Sequence, residues 1–333
     1  MATGFSHKRR ELRTDKSRIT NRWTLPKVRS SRKGDEMRFF VLIFLIAISL
    51  LLLLPNVADA QAQNHVTILY DAFGQPSLLR KDWGFAALIE YGGKRILFDT
   101  GNNADTFAHN VKALKIDLKR LDFVVISHRH GDHTSGLNYL LSVNPRVKIY
   151  VPKETYGVFG SSLPGTFYLR AEALPPEMRY FGGAAPEVIR HGTPWARANF
   201  VYVDSLTEVA PGIYLIATVS QMPGTLELRE LSLAIKTPSG LVLATGCSHP
   251  GIEKILEASM TVDNHIHLIF GGLHLVTTPD PEVERITTAL HEKWKVDLIA
   301  PGHCTGEPAF AALRKAFGER YLYAGLGTIL KLP

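Results

Sequence analysis

The sequence predicts an α+β protein in which two mixed β-sheets face each other with helices outside, an αββα layering. Three observations lead there. Short apolar runs bounded by turn residues mark many strands, and longer stretches with apolar residues at helical spacing mark helices between them. Hairpin-rich β segments alternate with βα units. That pattern recurs in both halves of the chain.

Taken in order, HVTILYD (65–71) reads as a first strand. GFAALIEYGGKRILFDTG holds two apolar runs around Gly92-Gly93, a hairpin signal. ADTFAHNVKALKI (104–116) has helical spacing, and LDFVVIS (121–127) is a continuous apolar run, hence a buried strand. TSGLNYLL begins a helix with Thr134 near its cap, and RVKIYV is another strand. From 152 to 199 Pro and Gly are frequent and periodicity is weak. A structureless stretch of that length is unusual inside a domain, so it reads as an irregular insertion: a lid near a site, or a solvent-exposed excursion without a role. NFVYV, GIYLIATV, LSLAIKT and LVLATG follow as strands, GIEKILEAS as a helix, HIHLIFGG as a strand, PEVERITTALHEKW as a helix, VDLIAPGH as a strand and EPAFAALRKAF as a helix.

The 333 residues divide into a leader, 1–60, and a domain, 61–333. The formal charge of +7 is uneven: residues 1–38 carry 12 Lys/Arg against 4 Asp/Glu, whereas from Gln61 onward basic and acidic residues balance at 26 each. The basicity therefore belongs to the leader and is no evidence that the domain binds nucleic acid. Residues 1–36 are basic and lack apolar periodicity, the composition of a disordered extension. From Met37 the chain has one positive residue, an apolar run over 39–54 and then Ala58-Asp59-Ala60, the three-part pattern of a secretory signal peptide cut after Ala60. An uncleaved anchor through residues 39–54 is the alternative, although 16 residues is short of the roughly 20 that span a bilayer. Met37 is an alternative start. The expected location is periplasmic or secreted, with any membrane contact confined to this segment. Two cysteines, Cys247 and Cys304, exclude a disulfide-stapled scaffold.

The chemistry concentrates in SHRHGDH, residues 127–133, directly after an apolar strand. Neutral imidazole suits zinc, iron or nickel, and a carboxylate adds a hard oxygen ligand. His128 and His130, two apart, can point to one side of an extended stretch; Gly131 permits a sharp bend; Asp132 and His133 then face a second position. Four ligands on six residues do not encircle one ion easily. They suit two ions that share a hydroxide.

H-x-H-x-D-H after a strand resembles the signature of the metallo-β-lactamase superfamily, and the resemblance covers residues 66–327. ILFDTG (96–101) is similar to that family's first motif, which implies that Asp99 supports the metal loop. TGCSHPGI (245–252), GGLHL (271–275) and APGHCTG (300–306) look like the dihydropterin-synthase-like branch, usually metal-dependent hydrolases, with one archaeal type acting as a synthase. The implied metal ligands are His128, His130 and His249 for one ion and Asp132, His133 and His303 for the other. Two departures stand out. SQMPGT replaces the stretch that normally bears the third-motif His, with His249 in its place; Cys247 follows Gly246 where a bridging Asp is usual. Cys247 is then a thiolate ligand or a buried neighbour, and His274 a ligand or a pocket wall. Cys304 has no assigned role. His109, His265, His267 and His291 read as structural or exposed, and His191 lies in the irregular insertion.

The resulting expectation is an exported metallo-hydrolase with two divalent ions, zinc first and iron or manganese as alternatives. Water shared by the ions loses a proton near neutral pH and attacks an ester, lactone or phosphoester in a small-molecule substrate, and Asp132 relays a proton to the leaving group. The alternatives are dihydropterin-type group transfer on the same metals, and a non-catalytic member that captures a ligand or metal.

Overall fold

The computed structural model describes residues 64–154, 162–166, 168–190 and 195–333. The basic extension, the apolar run, the cut after Ala60 and His191 all lie outside them. Residues 62–333 form one compact unit. Among the described residues no helix is long and apolar enough to cross a membrane.

Two sheets carry the architecture. The first is built from β1 (His65–Tyr70), β2 (Ala86–Tyr91), β3 (Lys94–Phe98), β4 (Phe123–Val125), β5 (Lys148–Pro152), β8 (Asn199–Val203) and β15 (Ile329–Lys331), in the order β15-β1-β2-β3-β4-β5-β8. The second contains β9 (Thr207–Ala210), β10 (Ile213–Val219), β11 (Arg229–Thr237), β12 (Gly240–Thr245), β13 (Ile266–Gly272) and β14 (Leu298–Gly302), in the order β14-β13-β12-β11-β10-β9. The two halves share a plan. β1-β2-β3 pair antiparallel and β3-β4-β5 parallel; β9-β10-β11-β12 pair antiparallel and β12-β13-β14 parallel.

Burial on both faces explains the unbroken apolar runs. In β3, Ile96 and Phe98 face the other sheet while Leu97 faces the outer helices. In β12, Val242 and Ala244 point inward and Leu241 and Leu243 outward. The inner cluster joins both sheets through residues such as Phe85, Phe98, Leu233 and Phe270, and each is worth about 1.5–3 kcal/mol of apolar burial. On the first sheet's outer face lie α1 (Ala104–Ala113), capped by the Asn103 side chain, the short turn α2 (Gly131–Thr134) and α3 (Leu137–Val143). On the second sheet's outer face lie α4 (Ile252–Ser259), α5 (Asp280–Thr288) and α6 (Glu307–Phe317). This is the αββα layering expected.

The details differ in three places. Thr134 does not cap the following helix: it ends α2, and Gly136 is the N-cap of α3. The motif's own backbone forms a separate helical turn before the main helix begins. The 152–199 insertion is not structureless, because β6 (Ser162–Pro164) pairs antiparallel with β7 (Val188–Arg190) in a small sheet of its own. The edge strands β9 and β15 were not foreseen; both are short, and a three- or four-residue strand leaves little periodicity to read.

Candidate metal centre

The site-bearing residues follow the carboxyl ends of β3, β4, β12, β13 and β14, where α/β sheets leave their loops open to ligands. From the first sheet come Asp99 after β3 and His128, His130, Asp132 and His133 after β4. From the second come Cys247 and His249 after β12, His274 after β13, and His303 and Cys304 after β14. Gly246 lets the two sheets close on each other here: a Cβ at that position would lie 2.1 Å from Ser127 Oγ.

All six expected ligands converge. The ligand atoms of His128, His130 and His249 lie within 4.8 Å of one another, as do those of Asp132, His133 and His303. The groups adjoin, with the His128 and His133 rings 4.2 Å apart. Within them His128 Nε2 is 3.0 Å from His130 Nδ1, and His133 Nε2 is 3.2 Å from His303 Nε2. Both ring nitrogens of His249 are buried without a hydrogen-bond partner, as is Nδ1 of His303. Buried polar atoms ordinarily find partners, so bare imidazole nitrogens on the rings of these groups fit a cation site. A further group, His128, His133 and Cys247, spans the two.

In the first half Asp99 is a fully buried acceptor. Its carboxylate accepts hydrogen bonds from His133 Nδ1 (2.7 Å), Ser127 Oγ (2.7 Å) and Ser127 N (2.7 Å). Because Ser127 donates its one hydroxyl proton to Asp99, its oxygen must accept from His128 Nδ1 at 2.9 Å. The chain of donors leaves Nε2 of both His128 and His133 directed into the centre.

Two carboxylates do the corresponding work in the second half, and neither was singled out from the sequence. Glu230, fully buried in β11, accepts from the backbone N–H groups of Cys247 (3.0 Å), Ser248 (2.7 Å) and His249 (2.8 Å). Asp71, fully buried after β1, accepts from His303 N at 2.9 Å. A signal was available for both: Glu230 and Asp71 are lone carboxylates at the ends of strongly apolar strand runs, and buried carboxylates need partners. Burial pushes each of them up to about 7, against the pull of the N–H donors and, for Asp71, of the His303 side chain.

The site is also where backbone strain gathers. Asp99 (φ 58°), Ser248 (φ 66°), His274 (φ 52°) and His303 (φ 47°) all sit in the left-handed region. Each such residue costs about 1–2 kcal/mol, sustained at Asp99, Ser248 and His303 by the hydrogen bonds just described.

Burial and crowding favour the neutral form of His128, His130 and His249. Burial and the surrounding imidazoles hold His128 well below its ordinary pKa, and burial together with His274 and His130 takes His249 down to about 2. His133 goes the other way. Burial opposes its charge, but Asp99 outweighs burial and lifts it to about 9. Burial also opposes ionisation of Asp132, yet the hydrogen bond and charge of the neighbouring His303 and His133 hold it below the usual carboxylate range. An ionised carboxylate thus stands among imidazoles of which His133 is drawn towards its protonated form by Asp99, where a cation would displace the proton; imidazole nitrogens with a carboxylate are a donor set that fits a divalent cation.

Cys247 Sγ lies 3.3 Å from His133 Nε2, inside the centre. His274 stacks against His249 at 4.1 Å and lines a cavity of about 250 Å³ with His249, Met222, Leu275, Thr278 and Ile286. His109, His265, His267 and His291 lie away from the site and pair locally: His109 with the Leu78 carbonyl, His265 and His267 with Asp297, His291 with Glu292.

Comparison with known proteins agrees with this arrangement. The chain is 27% identical over 309 residues, spanning 84% of itself and 100% of the relative, to the 7,8-dihydropterin-6-methyl-4-(β-D-ribofuranosyl)-aminobenzene-5′-phosphate synthase of Methanocaldococcus jannaschii. Among solved structures, one described as a metal-dependent hydrolase of the β-lactamase superfamily matches with a TM-score of 0.61 and 26% identity, covering 81% of this chain and 99% of that one. A metallo-β-lactamase fold protein from Bacillus subtilis shares the fold at a TM-score of 0.50 and 13% identity, covering 81% of this chain and 100% of that one. The family model of the metallo-β-lactamase superfamily matches residues 84–303, which include every residue placed in the centre except Asp71 and Cys304, and the chain belongs to that superfamily.

Proposed function

We propose that this protein is an exported metal-dependent hydrolase that acts, with two divalent cations, on an ester, lactone or phosphoester bond of a small molecule. One observation carries the reading: two ligand groups with no residue in common, His128–His130–His249 and Asp132–His133–His303, adjoin in a buried centre whose ring nitrogens are partly bare. Zinc suits the imidazole-rich donors best, with iron and manganese as alternatives. When bound, such cations supply Lewis acidity, lowering the pKa of water and stabilising negative charge on the attacked group.

The chain's own residues do the rest. Asp99 and Ser127 hold His133 and His128 in the tautomers that present Nε2. Asp132, partly exposed and ionised, accepts a proton at Oδ2, 3.4 Å from His303 Nε2, and relays it to the leaving group. The cavity beside His249 and His274, walled by Met222, Leu275 and Ile286, takes an apolar part of the substrate. The apolar run and Ala58-Asp59-Ala60 support export, periplasmic or secreted, with anchoring through residues 39–54 as the alternative.

The second reading is group transfer, favoured by the synthase of M. jannaschii that aligns over its whole length. It ranks lower because an exported chain meets little of an intracellular phosphorylated intermediate. A panel of p-nitrophenyl esters and phosphodiesters, lactones and nitrocefin separates the readings. Hydrolysis of at least one, abolished by chelation, restored by zinc and lost in His128→Ala and His303→Ala, is the expected result. Condensation of a dihydropterin with an aminobenzene ribofuranosyl phosphate, without hydrolysis, would establish the second reading instead. Tight metal binding with no turnover at all would mark a ligand- or metal-capturing protein, and a chain that takes up less than one equivalent of any transition metal would end all three metal-based accounts.

A further inference from the structure

We propose that Cys247, His274 and Cys304 form a third, sulfur-based metal site that holds one thiophilic cation of the zinc type. It goes beyond the hydrolase reading, because none of its residues belongs to the two imidazole–carboxylate groups and it stands whether or not the chain turns over a substrate.

The three residues follow adjacent parallel strands, β12, β13 and β14, so sheet pairing sets their ligand atoms side by side. Those atoms lie within 4.8 Å of one another, and the two sulfurs are 3.2 Å apart. Both cysteines are buried. His274 is held at φ 52°, a conformation that a histidine adopts only when its surroundings impose it, and its Nδ1 is buried with no partner. The backbone makes room for the sulfur as well. Gly272 faces the pair, and a Cβ there would come within 2.8 Å of Cys304 Sγ.

The donor chemistry agrees with this geometry. Two thiols and an imidazole are a soft S₂N donor set, which selects zinc and its congeners over magnesium, calcium or manganese. Loading one divalent cation replaces two S–H protons, which pass to solvent; no sulfur is oxidised. A solvent molecule or a neighbouring residue completes the coordination.

The test uses the full domain, 61–333, reduced and reconstituted with Zn²⁺ for elemental analysis, then titrated with Cd²⁺ while the thiolate-to-cadmium charge-transfer band is followed in the near ultraviolet. The proposal expects about one equivalent of metal beyond those lost in His128→Ala and His303→Ala, and a cadmium band that survives both of those variants. Cys304→Ser should weaken the band and lose about one equivalent, while keeping the remaining metal and the wild-type far-ultraviolet circular dichroism. Absence of the band in the wild-type protein overturns the proposal without recourse to any variant. So does a band unchanged in Cys304→Ser, which would assign the sulfur to Cys247 alone. A Cys247–Cys304 disulfide that persists under reducing conditions, read as a mass two units low by intact mass spectrometry with no titratable thiol, overturns it as well. No turnover by the wild-type protein with the cadmium band intact marks failure of the hydrolase reading alone, and turnover without the band marks failure of this one.

Discussion

The first sheet and the second contribute to the centre in different ways. The first offers four candidate ligands from one stretch of six residues, His128 to His133, with a single carboxylate, Asp99, that lies one strand away and reaches both His133 and, through Ser127, His128. The second supplies His249, His274, His303 and two thiols from three separate loops, and needs two further carboxylates: Glu230 to gather the Cys247–His249 backbone and Asp71, from the opposite sheet, to gather His303. One half is a compact motif whose geometry is largely local. The other is a set of strand ends that become a site only when pairing and packing bring them level. The difference teaches that a ligand cluster can be short-range in one half and long-range in the other while serving one centre, and that the long-range half carries the heavier demand for buried, charge-assisted hydrogen bonds.

Substitutions at the supporting carboxylates should expose that difference most strongly. Glu230→Ala leaves three buried backbone N–H groups without an acceptor, so the expected loss is about 3 kcal/mol or more, seen as a lowered midpoint of urea denaturation at unchanged m-value. A loss under about 1 kcal/mol would mean that the second-half loop stands without its carboxylate, and the contrast drawn here would fall. Asp99→Asn acts on the local half. It keeps the fold but disturbs the tautomers of His128 and His133, and zinc affinity measured by chelator competition should fall about 10–100-fold. Unchanged affinity would show that the motif positions its own rings.

Gly246→Ala tests the seam. The added methyl would press on buried Ser127, the residue that links Asp99 to His128, at a cost of about 1–3 kcal/mol in thermal or chemical denaturation. Arg285→Ala is the control. Arg285 on α5 bonds Glu253 at 2.7 Å and Glu282 at 2.9 Å, but its side chain is half exposed. Removing it should cost less than about 1 kcal/mol and leave metal content alone.

Legibility followed the same divide. SHRHGDH is dense enough that imidazole and carboxylate spacing alone pointed to metal, whereas Asp99 at a neighbouring strand end could equally have capped a turn, and its support of the motif was implied by the family resemblance. The layering was legible too: two-faced burial turns β3, β12 and β13 into continuous apolar runs, and helical spacing marks α1, α4 and α6. The helix boundary at Thr134 was not, because α2 is a single turn and a four-residue element has no period to detect. Nor was Cys304, a lone thiol beside His303 with no role readable from its spacing until Cys247 is found 3.2 Å from its sulfur.

The amino-acid sequence by itself determined which segments are strands and helices, and the local group His128, His130, Asp132 and His133, because periodicity and short spacings act over a handful of neighbouring residues. The family resemblance already paired His249 with one ligand group and His303 with the other; only the tertiary structure decided that the atoms of each group come together, that Glu230 and Asp71 hold the loops beneath them, and that two thiols 57 residues apart meet. Those positions depend on which strands pair, in what register, and on how closely the inner core draws two sheets together, and no segment carries that information alone.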